Sequence, residues 1–105
     1  MVKAKKIYLV TATHHPYHDF WVKLAETLSK NLSLELEIRY EDYLFLIEHG
    51  DTDEYGMAWV PQLLVELSDG SISVLLSQLP LNEELKPDFD KAVEIVTSKI
   101  RELEK

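Results

Sequence analysis

The chain alternates between short apolar runs and stretches in which apolar residues recur every three or four positions. Residues 6–11 (KIYLVT) are β-branched, aromatic and mostly apolar, which predicts a central strand buried on both faces. After Pro16, apolar residues return at helical spacing, and this predicts a helix over about residues 16–30. Residues 34–40 alternate strictly between apolar and charged, which predicts a half-exposed strand at a sheet edge.

The second half of the chain continues the same pattern. Residues 41–49 predict a short helix, which Gly50 is expected to stop in a left-handed conformation. An acidic loop over 51–56 leads to an apolar strand over 60–67. Asp69-Gly70 predicts a hairpin with a primed turn, followed by a returning strand over 72–76. Apolar residues at spacings of four and three predict a last helix over about 87–103.

The predicted order is therefore β-α-β-α-β-β-α in a single domain of 105 residues. The first two strands are joined through a helix, so they should be parallel with a right-handed crossover. The last two strands should form an antiparallel hairpin. Together these features predict an α/β fold with a four-stranded mixed sheet and helices on both faces.

Composition excludes several functions. The chain has no cysteine, which rules out thiol–disulfide chemistry and thiolate metal sites. Its formal charge of −8, from 11 basic and 19 acidic residues, disfavours nucleic-acid binding. No apolar run approaches the ~20 residues of a membrane span, so a soluble, cytoplasmic protein is expected. Its richness in Glu, Lys and Leu is typical of thermophile proteins.

Two short motifs carry a resemblance to a known family. His15-Pro16-Tyr17-His18 follows the first strand, and Val60-Pro61-Gln62 opens the third. Together with the element order, they resemble the glutaredoxin branch of the thioredoxin-like fold. That family has Cys-Pro-Tyr-Cys at the first position and Val-Pro-Gln, with a cis proline, at the second. The resemblance implies a thioredoxin-like fold in which Val60–Pro61 is cis and the two corners meet at one end of the sheet.

The departures from the family decide the functional prediction. Histidines replace both cysteines, the family's preceding lysine is absent, and residues 78–82 (QLPLN) replace a glutathione-binding Gly-Gly segment. Redox transfer is thereby removed and glutathione binding is not expected. The leading hypothesis is a non-redox module whose groove binds a protein or peptide, using the backbone before Pro61. The predicted groove residues are His14, His15, Pro16, Tyr17, His18, Trp59, Val60 and Pro61, whereas Trp21 is assigned to the core.

Two alternatives use the histidine cluster, and a third prediction concerns assembly. His15 and His18, with His14 or Asp19, could bind a transition metal, although a helix N-terminus disfavours cations. Otherwise no cofactor is expected. A histidine could also act as a general base in an enzyme, but no nucleophile with matching spacing is evident. The predicted edge strand over 34–40 could pair with its copy in a homodimer.

Overall fold

The structure, a computed structural model, describes residues 1–104. Its seven elements follow one another in the predicted order, and most boundaries lie within two residues of the sequence prediction. The elements are β1 (Ala4–Thr11), α1 (His18–Leu32), β2 (Glu35–Tyr40), α2 (Tyr43–His49), β3 (Gln62–Leu67), β4 (Ile72–Leu76) and α3 (Phe89–Leu103).

The four strands form one mixed sheet in the order β2-β1-β3-β4. β1 runs parallel to β2, with registers from Lys6 opposite Glu35 to Thr11 opposite Tyr40. β3 is antiparallel to β1, and β4 is antiparallel to β3. The prediction of a four-stranded mixed sheet is therefore confirmed, with β1 central and β2 at an edge. Because one side of β2 lacks a strand neighbour, the homodimer through this edge stays a prediction.

Alternation along the strands sends neighbouring side chains to opposite faces of the sheet. Ile7 and Leu9 point to the face covered by α1 and α3, where they are fully buried in the larger core cluster. Tyr8 and Val10 point to the other face, where they pack against Leu46 of α2. The prediction of helices on both faces is confirmed.

Helix α1 begins two residues later than predicted. The segment after β1 forms a turn, in which the N–H of His15 donates to the carbonyl of Ala12 and the N–H of His18 donates to the carbonyl of His15, both at 3.0 Å. Tyr17 is the N-cap residue, and its side chain makes no capping hydrogen bond. His15 therefore lies before the helix rather than on its first turn.

Gly50 does not adopt the predicted left-handed conformation. Its φ of −98° and ψ of −173° are extended, and its N–H donates to the carbonyl of Leu46 at the end of α2. A Cβ atom here would lie 2.8 Å from both Gln62 Oε1 and Leu46 Cδ2. A side chain at this position would force Gln62 or Leu46 to move, which sequence pattern alone does not reveal.

The β3–β4 turn and the start of α3 also differ from the sequence prediction. Gly70 has a φ of 89°, but Asp69 is not in the left-handed region, so the predicted primed turn is wrong. The N–H of Gly70 donates to the carbonyl of Leu67, which gives a three-residue hairpin loop with its bulge at the glycine. α3 begins after Asp88, whose Oδ1 accepts the N–H of Lys91 at 3.0 Å.

No helix within residues 1–104 is both long and apolar enough to cross a membrane.

Candidate functional site

An open groove of about 460 Å³ lies where β1 ends and β3 begins. These two strand ends are adjacent because Val10 pairs with Gln62 across the antiparallel ladder. The two sequence motifs therefore meet at one end of the sheet, as the resemblance implied. The lining residues come from four segments of the chain: His15, Tyr17, Trp21, Trp59, Val60, Pro61, Ser77, Gln78, Leu79, Leu81 and Pro87.

The turn between β1 and α1 forms the first wall. The Nδ1 atom of His15 accepts a hydrogen bond from the backbone N–H of Tyr17 at 3.0 Å, and the two rings lie 6.3 Å apart. A neutral His15 ring that accepts at Nδ1 carries its proton on Nε2. Tyr17 remains 46% exposed. This wall presents an oriented imidazole and an accessible aromatic ring.

The second wall is the segment that leads into β3. The Nε1–H of Trp59 donates to the carbonyl of Ser77 at 3.0 Å, and the hydroxyl of Ser77 donates to Oδ2 of Asp51 at 2.6 Å. The Val60–Pro61 peptide bond is cis, as the resemblance implied, and Pro61 is buried. The indole N–H of Trp59 is thus already bonded to Ser77 at the end of β4, so that only the face and edge of the ring are available to a ligand.

Gln62 holds this wall in place from inside the protein. Its side chain is fully buried, and all its bonds go to backbone groups of the preceding loop. Oε1 accepts the N–H of Asp51 at 2.8 Å, while Nε2 donates to the carbonyls of Asp51 and Trp59, both at 2.9 Å. The sequence signal for this role was a glutamine inside an apolar strand, since a buried amide requires partners. Sequence reasoning did not use that signal.

The backbone of Val60 is unpaired beside the groove. β3 pairs with β1 only from Gln62 onward and with β4 only from Leu63 onward. Within the described part of the chain, neither the N–H nor the carbonyl of Val60 makes a hydrogen bond to another residue. Backbone groups of this kind need a partner, either water or another chain. The N–H and carbonyl of Val60 are therefore one donor and one acceptor without a partner among the described residues, in a residue that lines the groove.

Sequence reasoning missed the third wall and the floor. Leu79 and Leu81 follow β4, and an isolated bridge between Leu81 and Pro87 closes the loop that begins at Leu81. Trp21 is only 2% exposed, which confirms its assignment to the core, yet the edge that remains accessible forms part of the floor. Irregular loops of this kind leave no periodic signal in a sequence.

Three predicted groove residues do not line the groove. His14 and Pro16 are exposed outside it. His18 lies toward the β1–β2 side, where its Nδ1 is 3.0 Å from the hydroxyl of Thr11 and its ring is 6.2 Å from that of Tyr40. Because α1 begins only at His18, His15 lies before the helix and the two histidines do not share one of its faces.

The metal and enzyme alternatives depend on which groups the structure places beside the histidines. Over residues 1–104, no group of three or more His, Asp or Glu side chains is placed to hold a metal ion. In the same residues, no hydrogen bond joins the imidazole of His15 to a hydroxyl group, although Tyr17 and Ser77 line the same groove. A base-activated nucleophile needs such a contact. The contact exists at His18, whose Nδ1 lies 3.0 Å from the hydroxyl of the buried Thr11, outside the groove. Within residues 1–104 the groove itself holds no imidazole–hydroxyl hydrogen bond, and the enzyme alternative stays a prediction.

The lowered pKa values of Glu37 and Asp42 come from hydrogen bonds and ion pairs on the face of the sheet that α2 covers. The hydrogen bond from Lys6 lowers the pKa of Glu37 below its usual value. The hydrogen bond from Arg39 likewise lowers the pKa of Asp42. With these lowered pKa values, the carboxylates of Glu37 and Asp42 stay charged at neutral pH and contribute to ion pairs, and neither has a pKa near neutrality as a general acid or base would need.

Compared with protein families, curated proteins and solved structures, the chain gives no match. What the groove binds is therefore inferred from its own residues.

Proposed function

We propose that this chain is a non-redox protein with a thioredoxin-like fold, close to the glutaredoxin branch, whose groove binds an extended segment of a partner protein. The strand order β2-β1-β3-β4 and the placement of α2 opposite α1 and α3 support the fold assignment. The meeting of the His15–Tyr17 turn with the Trp59–Pro61 segment at one groove supports it further. The absence of cysteine removes redox chemistry from this scaffold.

The unpaired backbone of Val60 beside an apolar groove is the observation that carries the binding proposal. An extended peptide can add to such an edge, with main-chain hydrogen bonds giving affinity and alternate side chains entering the groove. Tyr17 and Trp59 provide aromatic surface of the kind that dominates binding energy at interfaces. A groove of about 460 Å³ is within the usual size range for ligand sites.

The affinity should be modest, because the contact is small. Two backbone hydrogen bonds and one or two buried side chains must offset the cost of ordering a flexible peptide. A dissociation constant in the micromolar range, roughly −8 kcal/mol, is the expected order. Because Nδ1 of His15 accepts the Tyr17 N–H, the Nε2–H of the neutral ring is the donor left for a ligand carbonyl or carboxylate.

Selection from random peptides of about ten residues, long enough to cross the groove when extended, tests this proposal. Selected peptides are then titrated into the wild type, Tyr17→Ala and a matched control, Tyr55→Ala. Tyr55 is 82% exposed and lies outside the groove, so both variants remove an exposed tyrosine. Tyr17→Ala should weaken binding roughly tenfold, the effect of losing one aromatic anchor. Equal affinity for both variants, or no enrichment of any peptide, contradicts the proposal.

A further inference from the structure

Helix α2 exposes an apolar face that the fold does not use. Tyr43, Leu44 and Ile47 are 42%, 75% and 55% exposed, and we call these three residues the α2 outer face. Their spacings of three and four residues make them neighbours on the helix surface. The helix is held to the sheet by its other side, where Leu46 is fully buried and the ring of Phe45 lies 4.9 Å from that of Tyr8.

The charge around the α2 outer face is of one sign. Glu41 and Glu48 flank it and are exposed, and no lysine or arginine occurs between Arg39 and Lys86. Arg39 does not offset them, because its guanidinium contacts the carboxylates of Glu37 and Asp42 at 2.7 and 2.9 Å. It also lies 4.6 Å from the ring centre of Phe45, on the inner side of the helix.

The exposed apolar residues and the glutamates beside them together indicate which kind of partner can bind the α2 outer face. In a symmetric dimer through the α2 outer face, the glutamates of two chains of charge −8 would approach one another, which like-charge repulsion opposes. Nucleic acids and anionic membranes are repelled for the same reason. Apolar contacts at helical spacing within an acidic surround complement a helix that has leucine-like residues on one side and Lys or Arg beside them.

We propose that the α2 outer face binds a basic amphipathic helix of a partner protein. The groove is a separate site, since no residue of α2 lines it. The apolar face supplies the affinity. Glu41 and Glu48 supply the preference for a positively charged partner, and their attraction speeds its association in a way that salt weakens. The two sites could serve two partners, or two segments of one partner.

A labelled helical peptide of about 14 residues, with leucines on one face and lysines beside them, is the probe, and fluorescence anisotropy gives its dissociation constant. The Leu44→Ser/Ile47→Ser variant should weaken binding at least about tenfold through lost apolar burial. Glu41→Gln/Glu48→Gln should weaken it roughly fivefold and reduce its salt dependence. A peptide with glutamate in place of lysine should bind far more weakly.

Matched variants on α3 separate a specific site from general attraction to an acidic protein. Ile95→Ser and Glu94→Gln/Glu102→Gln change exposed residues of the same types on the other face of the sheet, and each should leave the dissociation constant unchanged. Equal losses in the α2 and α3 variants overturn the proposal, as does equal binding of the glutamate peptide. Sedimentation of a wild-type dimer that Leu44→Ser/Ile47→Ser abolishes also overturns it, because the occupant is then a second copy.

Discussion

Replacing Gln62 with leucine tests whether one buried amide holds the second wall of the groove. The substitution keeps a side chain of similar size in the core but removes the partner of three backbone groups. These groups are the N–H and carbonyl of Asp51 and the carbonyl of Trp59. The loop that carries Trp59 should then lose its attachment to β3, while the strand itself remains intact.

The size of the effect follows from the bonds that are lost. Each hydrogen bond contributes about 1 kcal/mol net, so three contribute about 3 kcal/mol. Leucine recovers roughly 1 kcal/mol, because it no longer desolvates a polar amide. Asp51 and Trp59 are partly exposed, so water can replace some of the bonds. The expected loss in the free energy of unfolding is about 2 kcal/mol, which lowers the urea midpoint by roughly 1–2 M.

Two measurements check this prediction. Urea unfolding followed by circular dichroism gives the global loss, with Gln78→Leu as the matched control, since Gln78 is exposed and should change stability by less than about 0.5 kcal/mol. Chymotrypsin cleavage at Tyr55 under native conditions reports on the loop and should be faster in Gln62→Leu alone. If Gln62→Leu unfolds at the wild-type midpoint and is cleaved at the wild-type rate, the amide does not hold the loop.

Three further predictions concern stability. Gly50→Ala should lower the free energy of unfolding by about 1–3 kcal/mol in urea titrations, because the new methyl group would lie 2.8 Å from Gln62 Oε1; an unchanged midpoint would refute the steric argument. Trp21→Ala should cost about 3–5 kcal/mol by the same assay, whereas a cost below 1 kcal/mol would mean the indole is not core. Lys6 lowers the pKa of Glu37, so the ionised Glu37 stabilises the fold fully above its unfolded pKa of about 4, and this stabilisation disappears as pH falls through the lower folded pKa. In thermal melts, Glu37→Gln should therefore be less stable than the wild type at pH 7 and should lose less stability below pH 4. Parallel stability curves of the two proteins against pH would contradict this.

The fold was largely predictable because its main signals are periodic. The apolar run that became β1 and the alternating residues of β2 each fit one burial pattern, and the structure places them at the centre and the edge of the sheet. The errors fell where close packing or turn geometry decides. Gln62 and Leu46 leave little room for a side chain at Gly50, and α1 starts late because His15 closes a turn with Ala12.

The candidate site was predictable in part. His15, Tyr17 and the segment from Trp59 to Pro61 were predicted and line the groove. His18 was included as the last residue of the His-Pro-Tyr-His motif, but the structure places its ring beside Thr11 and not in the groove. The wall formed by residues 77–81 and Pro87 lies in irregular loops, whose positions depend on tertiary contacts.

Amide hydrogen exchange at Val60, measured by NMR with and without a selected groove peptide, tests the central claim most directly. If the peptide adds to the backbone before Pro61, the Val60 N–H becomes hydrogen-bonded and its exchange should slow at least tenfold at saturation, about 1.4 kcal/mol of protection. Amides of the β3–β4 hairpin loop, at the end of β3 opposite the groove, should be unaffected and serve as the internal control. Unchanged exchange at Val60 while the peptide is bound would contradict the proposed mode of binding.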